Sequence, residues 1–382
     1  MAVGIICEYN PMHNGHIYHL EKVKEMFKDT PIVLVLSGNY TERGGVSILD
    51  KWSKTELAIK YGVNLVIELP FSFATQSADF FSYGAVTLLE KLKVDYLVFG
   101  SETDDLDTLY TISKCQVENS EFDTLVKMYS KFGENYPTSV SKAVYDLTGK
   151  KVDTPNDLLG VSYIKTIIKN NYNIKPIIIK RENNYHSKEI NNITSSTAIR
   201  DALKNNIDVK ESVPTEVYKT LNNSTLHFID DYFSLLKYKI ITEKDLSIYQ
   251  TVEEGIDNLL KKEIVNVNNY DELIKRIKSK RYTYNKISRM LLHILIGFTK
   301  EDAKKFNDIE YIRILGFDNI GRSYLNSIKK DVDIPILSKY KRDYKQLQLE
   351  LKSTCIYSII NNEDYLIKKE YQNNLNKGDN ND

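Results

Sequence analysis

Apolar residues in the first hundred positions fall into short unbroken runs, separated by longer stretches with helical spacing. Val3–Cys7, 31–36, Leu65–Leu69 and 96–99 are nearly continuous apolar runs, the pattern of strands covered on both faces. Between them, 17–27, 51–61 and 74–92 repeat apolar residues every three or four positions; Leu20, Val23 and Phe27 share one helical face. Strand–helix alternation implies right-handed βαβ units and a Rossmann-like, doubly wound parallel α/β sheet. Residues 101–151 read as polar helices, 161–169 as a further helix, and 174–179 as the last strand of the sheet. A capped helix over 194–203 then closes an α/β unit spanning 1–205.

Beyond residue 216 the pattern turns helical, with segments at 232–237, 244–248, 255–262, 271–278 and 284–298. Short strand patterns at 312–317 and 332–337 interrupt it. Residues 206–370 are therefore expected to form a mostly helical domain, followed by a polar tail, 371–382, expected to be disordered. A chain of 382 residues suits two such units. Lys+Arg and Asp+Glu are both 52, so no whole-molecule field draws the protein to nucleic acid, and any RNA site must be a local patch. No stretch approaches the roughly 20 apolar residues that span a bilayer. Residues 1–7 are apolar but too short for a signal peptide. The three cysteines (Cys7, Cys115 and Cys355) form no CxxC pair, so neither a disulfide framework nor a zinc site is indicated. The expected compartment is the cytoplasm. The oligomeric state is left open.

The sharpest chemical signal follows the first strand: Glu8-Tyr9-Asn10-Pro11-Met12-His13-Asn14-Gly15-His16. Ligands bind at the carboxyl ends of strands in open α/β sheets, and a helix start there offers free N–H groups to phosphate. His13 and His16, three apart, share one side of the first turn. A second signal lies where the last helix of the α/β unit begins, at Thr194-Ser195-Ser196-Thr197-Ala198-Ile199-Arg200. Its hydroxyls can cap the helix or bond phosphate, and Arg200 can brace the outer phosphates.

His13-x-Gly15-His16 resembles the HxGH signature of the HIGH nucleotidyltransferase superfamily, and 194–200 resembles its ISSTxxR form. Further stretches narrow the resemblance: Ser37-Gly38-Asn39-Tyr40 with Arg43-Gly44, Val66-Ile67-Glu68-Leu69-Pro70, Phe99-Gly100-Ser101-Glu102, and Lys280-Arg281-Tyr282-Thr283. Together they resemble the tRNA(Met) cytidine acetate ligase family over most of the chain. The resemblance implies activation of acetate by ATP as acetyl-adenylate, then acetyl transfer to N4 of the wobble cytidine of elongator tRNA(Met). It places ATP, as a substrate with Mg²⁺, on Ile6, Cys7, Glu8, Tyr9, Asn10, Pro11, Met12, His13, Asn14, Gly15, His16, Ile17, Tyr18 and His19. It adds Gly100, Asn156, Arg181, Ser195, Ser196 and Thr197, with His13, His16 and Arg200 as the catalytic candidates. One departure stands out: Glu42-Arg43-Gly44-Gly45-Val46 replaces the family's usual Gln-Arg-Gly-Glu-Pro.

For RNA, the candidate patch is Lys275, Arg276, Lys278, Lys280, Arg281, Lys286 and Arg289, with no acidic residue between its ends and with Tyr282 and Tyr284 interleaved. Two other readings fit the residues: a nucleotidyltransferase or acetate ligase with a non-RNA acceptor, and a non-catalytic RNA-binding protein.

Overall fold

Strands form where the apolar runs fall. The computed structural model describes residues 1–181, 195–253, 255–279 and 282–372, and the backbone alone of 376 and 377. The strands are β1 (Val3–Cys7), β2 (Ile32–Ser37), β3 (Leu65–Leu69), β4 (Tyr96–Ser101), β5 (Lys175–Lys180), β6 (Ile312–Phe317), β7 (Ile336–Leu337) and β8 (Asn376–Lys377). They lie in one sheet, ordered β5-β4-β1-β2-β3-β6-β7, with β8 beside β6. The first five strands are mutually parallel. Every residue of β2 and β3 is buried, as continuous apolar runs in a doubly covered sheet require.

Side chains alternate between two cores. Leu34, Leu36 and Val66 face one core, and Val33, Val35, Leu65 and Ile67 the other. On the second face lie helices Ala78–Lys91, Leu106–Glu118, Pro155–Asn170 and Asn319–Ile328. On the first lie α1 (Asn14–Met26), helix Lys51–Lys60 and the helices between 215 and 296. The helical half therefore shares a core with the start of the chain.

The sheet does not end with the strand at 174–179. That strand, β5, is an edge, and the chain returns 130 or so residues later to extend the opposite edge. β6 pairs antiparallel with β3 (Leu65 opposite Phe317, Glu68 opposite Arg313), a pairing that needs no crossover helix. Gly321 lets the next helix close on the sheet, since a Cβ there would lie 1.9 Å from the Asn64 carbonyl oxygen. In the tail expected to be disordered, the backbone of Asn376–Lys377 pairs with Gly316–Phe317. Residues 373–375 and 378–382 lie outside the described residues. No helix of the described residues is long and apolar enough to cross a membrane.

An ion network ties the C-terminal helix Asp364–Tyr371 to the sheet. Lys51 Nζ lies 2.6 Å from Glu68 Oε1 and 2.5 Å from Glu370 Oε1, and Arg313 Nη2 lies 3.1 Å from Glu370 Oε2. All four side chains are essentially inaccessible. Removing one partner from such a network leaves a bare buried charge. Glu370→Ala should therefore cost about 3–5 kcal/mol, read as a lower denaturant midpoint in urea unfolding, and an unchanged midpoint would refute the anchoring role.

Candidate active site

Strand order fixes where a ligand can enter. The connection from β1 leads to its neighbour β2, whereas the chain leaving β3 crosses back to β4 on the other side of β1. The carboxyl ends of β1 and β4 therefore flank the switch point of the sheet, where open α/β folds bind ligands. A cavity of about 840 Å³ opens there.

The turn after β1 is tightly held. Tyr9, buried at 2% exposure, takes a positive φ of 45°. Asn10 Oδ1 accepts from the Ile48 N–H at 2.8 Å. Lys54, also buried, donates to the carbonyls of Glu8 (3.0 Å), Ser37 (2.8 Å) and Gly38 (2.7 Å), joining the ends of β1 and β2.

The two histidines then cap α1 reciprocally. His13 Nδ1 accepts from the Gly15 N–H at 3.0 Å, and His16 Nδ1 accepts from the His13 N–H at 3.2 Å. A ring nitrogen that accepts carries no proton, so each neutral imidazole holds its hydrogen on Nε2. Burial, with Arg181 nearby, depresses His13 to about 3. Burial, then His13, Arg181 and His19, holds His16 well below the ordinary range. Both rings line the cavity as neutral donors at physiological pH. His19 also lines it, depressed to about 4 by burial and then Arg181, and its Nε2 has no partner among the described residues. Burial pushes the Cys7 thiol up to about 12, so this cavity-lining sulfur is not a thiolate nucleophile.

Helix Ser196–Lys204 docks directly against this turn. Ser196 Oγ donates to the Pro11 carbonyl at 3.3 Å, and Arg200 Nη1 donates to the Asn10 carbonyl at 2.6 Å. Ser195 caps the helix by accepting from the Ala198 N–H. Two segments almost two hundred residues apart thus meet on one cavity, which Ser195, Ser196, Thr197 and Arg200 all line. Thr194 lies outside the described residues. Gly100, Asn156 and Arg181 complete this end. Asn156 Nδ2 donates to Glu102 Oε1, which also lies 3.7 Å from Arg181 Nε. A Cβ on Gly100 would press to 3.3 Å of Arg181 Cγ.

Four residues of the 6–19 run do not line the cavity. Met12 is buried in the core and Ile17 packs against it. The Asn14 amide turns to the Glu211 carbonyl at 2.9 Å. Pro11 is buried, its carbonyl oxygen accepting from Ser196.

The departing loop 42–46 is well supported. Glu8 Oε1 accepts from the Glu42 N–H at 2.7 Å, and Arg289 Nη1 lies 2.9 Å from Glu42 Oε1. Gly44 sits at φ 80°, and a Cβ there would meet the Arg289 backbone nitrogen at 2.3 Å. Val46 supplies an antiparallel bridge to Tyr40.

Three described residues of the basic run are paired with acids. Arg289 is turned inward to Glu42, Arg276 pairs with Glu263 and Glu272 at 3.2 Å each, and Lys286 lies 3.3 Å from Glu253. Glu42, Glu253 and Glu263 come from other segments, and Glu272 from the helix of Arg276 itself. Lys275 and Lys278 are exposed, Tyr282 is buried, and Lys280 and Arg281 lie outside the described residues. Apart from Tyr284, interleaved in the basic run, the sequence motifs gave no sign of a second cavity wall, formed by Lys204, His227–Asp230, Tyr270, Asp271, Tyr284, Asn285 and Ser288.

A family model described as HIGH Nucleotidyl Transferase matches residues 1–373, which defines the class of the fold and its site. The tRNA(Met) cytidine acetate ligase of Clostridium acetobutylicum is 40% identical over 94% of this chain and 95% of its own length. The enzyme of the same name from a Geobacillus species is 37% identical over 94% of both chains. The crystal structure of Thermotoga maritima TmcAL bound with alpha-thio ATP superposes with a TM-score of 0.86 at 30% identity, covering 94% of this chain and 95% of that one. Its apo form gives 0.88. The chain belongs to the tRNA(Met) cytidine acetate ligase family.

The histidine environment has a pH signature. A histidine whose pKa falls on folding gives stability that is complete above its unfolded value of 6.5 and is lost as pH drops towards the folded value. Between pH 6.5 and about 3, His13 should cost about 1.4 kcal/mol per pH unit. His13→Asn keeps a capping side chain, so its unfolding midpoint should fall less steeply from pH 6.5 to 4 than that of the wild type. Parallel slopes would show that His13 is not the titrating group.

Proposed function

We propose that this protein activates acetate with ATP to acetyl-adenylate and transfers the acetyl group to N4 of the wobble cytidine of elongator tRNA(Met), in the cytoplasm. The observation that carries the reading is the meeting of His13, His16 and the Ser195–Arg200 segment on one cavity at the switch point of the sheet. The relatives' names supply the acceptor.

The chemistry needs no covalent nucleophile. An acetate oxygen attacks the α-phosphorus and pyrophosphate leaves. Negative charge then grows on phosphate oxygens, and fixed donors aimed at those oxygens lower the barrier. The Nε2–H groups of His13 and His16 are such donors, already oriented by their backbone hydrogen bonds. Arg181, Arg200 and the hydroxyls of Ser195, Ser196 and Thr197 would hold the phosphates, and the start of α1 adds its dipole. Gly100 would leave the adenosine a flat seat. Mg²⁺ would accompany the triphosphate. In the second step the cytidine amine attacks the acetyl carbonyl and AMP departs. That amine is amide-like and weakly nucleophilic, which accounts for the need for an activated acyl donor.

The direct test is incubation with ATP, radiolabelled acetate and total tRNA, followed by nucleoside analysis. Label should appear as N4-acetylcytidine, and a different labelled product would overturn the assignment of acceptor. His16→Ala should lower acetate-dependent ATP–pyrophosphate exchange by about 10²–10³-fold, the range for losing one oriented donor, with the circular dichroism of the fold retained. Near-normal exchange would remove the histidines from the mechanism.

A further inference from the structure

The cavity has a second end, chemically unlike the first. Past Arg200 its wall is formed by Asp201, Lys204, Asp230, Asp271 and Tyr284. Three carboxylates stand against one lysine, and that lysine is held by Asp230 at 2.5 Å. Such a wall repels a second phosphate and suits a group rich in hydrogen-bond donors. Tyr284, at the first position of helix Tyr284–Ile296, leaves 46% of its surface exposed beside them. Asp271, Asp230, Lys204 and Asp201 all act electrostatically on its phenol, and all line the same cavity. At about 840 Å³ the cavity lies near the top of the range for small-molecule sites, roughly 300–1,000 Å³, leaving room beyond one nucleotide.

Bases splayed from single-stranded RNA are held by stacking on aromatic rings, and carboxylates accept hydrogen bonds from the exocyclic amine of cytosine. We infer that the Tyr284 ring is the stacking platform for the acceptor base and that Asp271 accepts from its exocyclic amine, so that this wall selects an amine-bearing nucleobase. The inference rests on the acetyl-transfer reading above and adds the place where the acceptor docks. It also gives the helical half a role at the reacting end of the RNA, separate from any contacts to the phosphate backbone.

The test compares two rates in each protein: acetate-dependent ATP–pyrophosphate exchange, and acetyl transfer to tRNA(Met). In Tyr284→Ala the ratio of transfer to exchange should fall by about tenfold or more, through a raised KM for tRNA. Tyr284→Phe, which keeps the ring, should recover most of the ratio. Asp271→Asn should lower the ratio as well. Exchange serves as the internal measure of folding. An unchanged ratio in Tyr284→Ala, or a Phe variant as impaired as the Ala variant, would overturn the platform. Wild-type enzyme that exchanges with acetate yet acetylates no tRNA would defeat the acceptor reading and this inference together. Intact wild-type transfer with an unchanged variant ratio would defeat this inference alone.

Discussion

The chemistry of the site depends on where two protons sit. Backbone N–H groups in the first turn of α1 occupy Nδ1 of His13 and of His16, and burial keeps both rings neutral. Each ring is thereby committed to presenting an Nε2–H. A cationic pair at this separation, with ring centroids 3.9 Å apart, would repel itself and Arg181. Neutral donors avoid that cost and stay in fixed orientation, so little reorganisation is required as charge develops on a bound phosphate.

Everything around the histidines serves to hold that turn. Lys54 joins the carbonyls at the ends of β1 and β2, Asn10 binds the Ile48 N–H, and Arg200 reaches the Asn10 carbonyl. Arg200 stands on a helix distant in sequence, so the cavity-facing side chains of both segments are set by one docking geometry. The loop 42–46 closes the arrangement from the other side, clamped between Glu8 and Arg289. Its glycine at 44 is required by a positive φ and by the approach of the Arg289 backbone.

Much of this was legible in the chain. The five parallel strands coincide with apolar runs, and in β2 and β3 burial on both faces leaves little room for polar residues. The segment around His13 and the one around Ser196 were visible as helix starts with unusual side chains. Other features were not legible, for identifiable reasons. β6 has a strand pattern, but nothing local says that it will pair antiparallel with β3 across some 245 residues. The run from Lys275 to Arg289 looked uniformly basic because its neutralising partners, Glu42, Glu253 and Glu263, lie outside it, with Glu42 on a distant loop. Asp271 belongs to no motif and Tyr284 was visible only as a tyrosine interleaved in the basic run; their place at the cavity follows from the packing of helices on the sheet.

The buried ions joining Lys51, Glu68, Arg313 and Glu370 have a consequence for how the molecule comes into being. While the chain is still emerging from the ribosome, the nascent α/β half carries Lys51 and Glu68 at a site whose remaining charges have not been synthesised. The helix that carries Glu370 is made some three hundred residues after Glu68. The α/β half is therefore not a module that completes its ion network early and waits for an appendage: Lys51 and Glu68 stay without Arg313 and Glu370 until those residues are made.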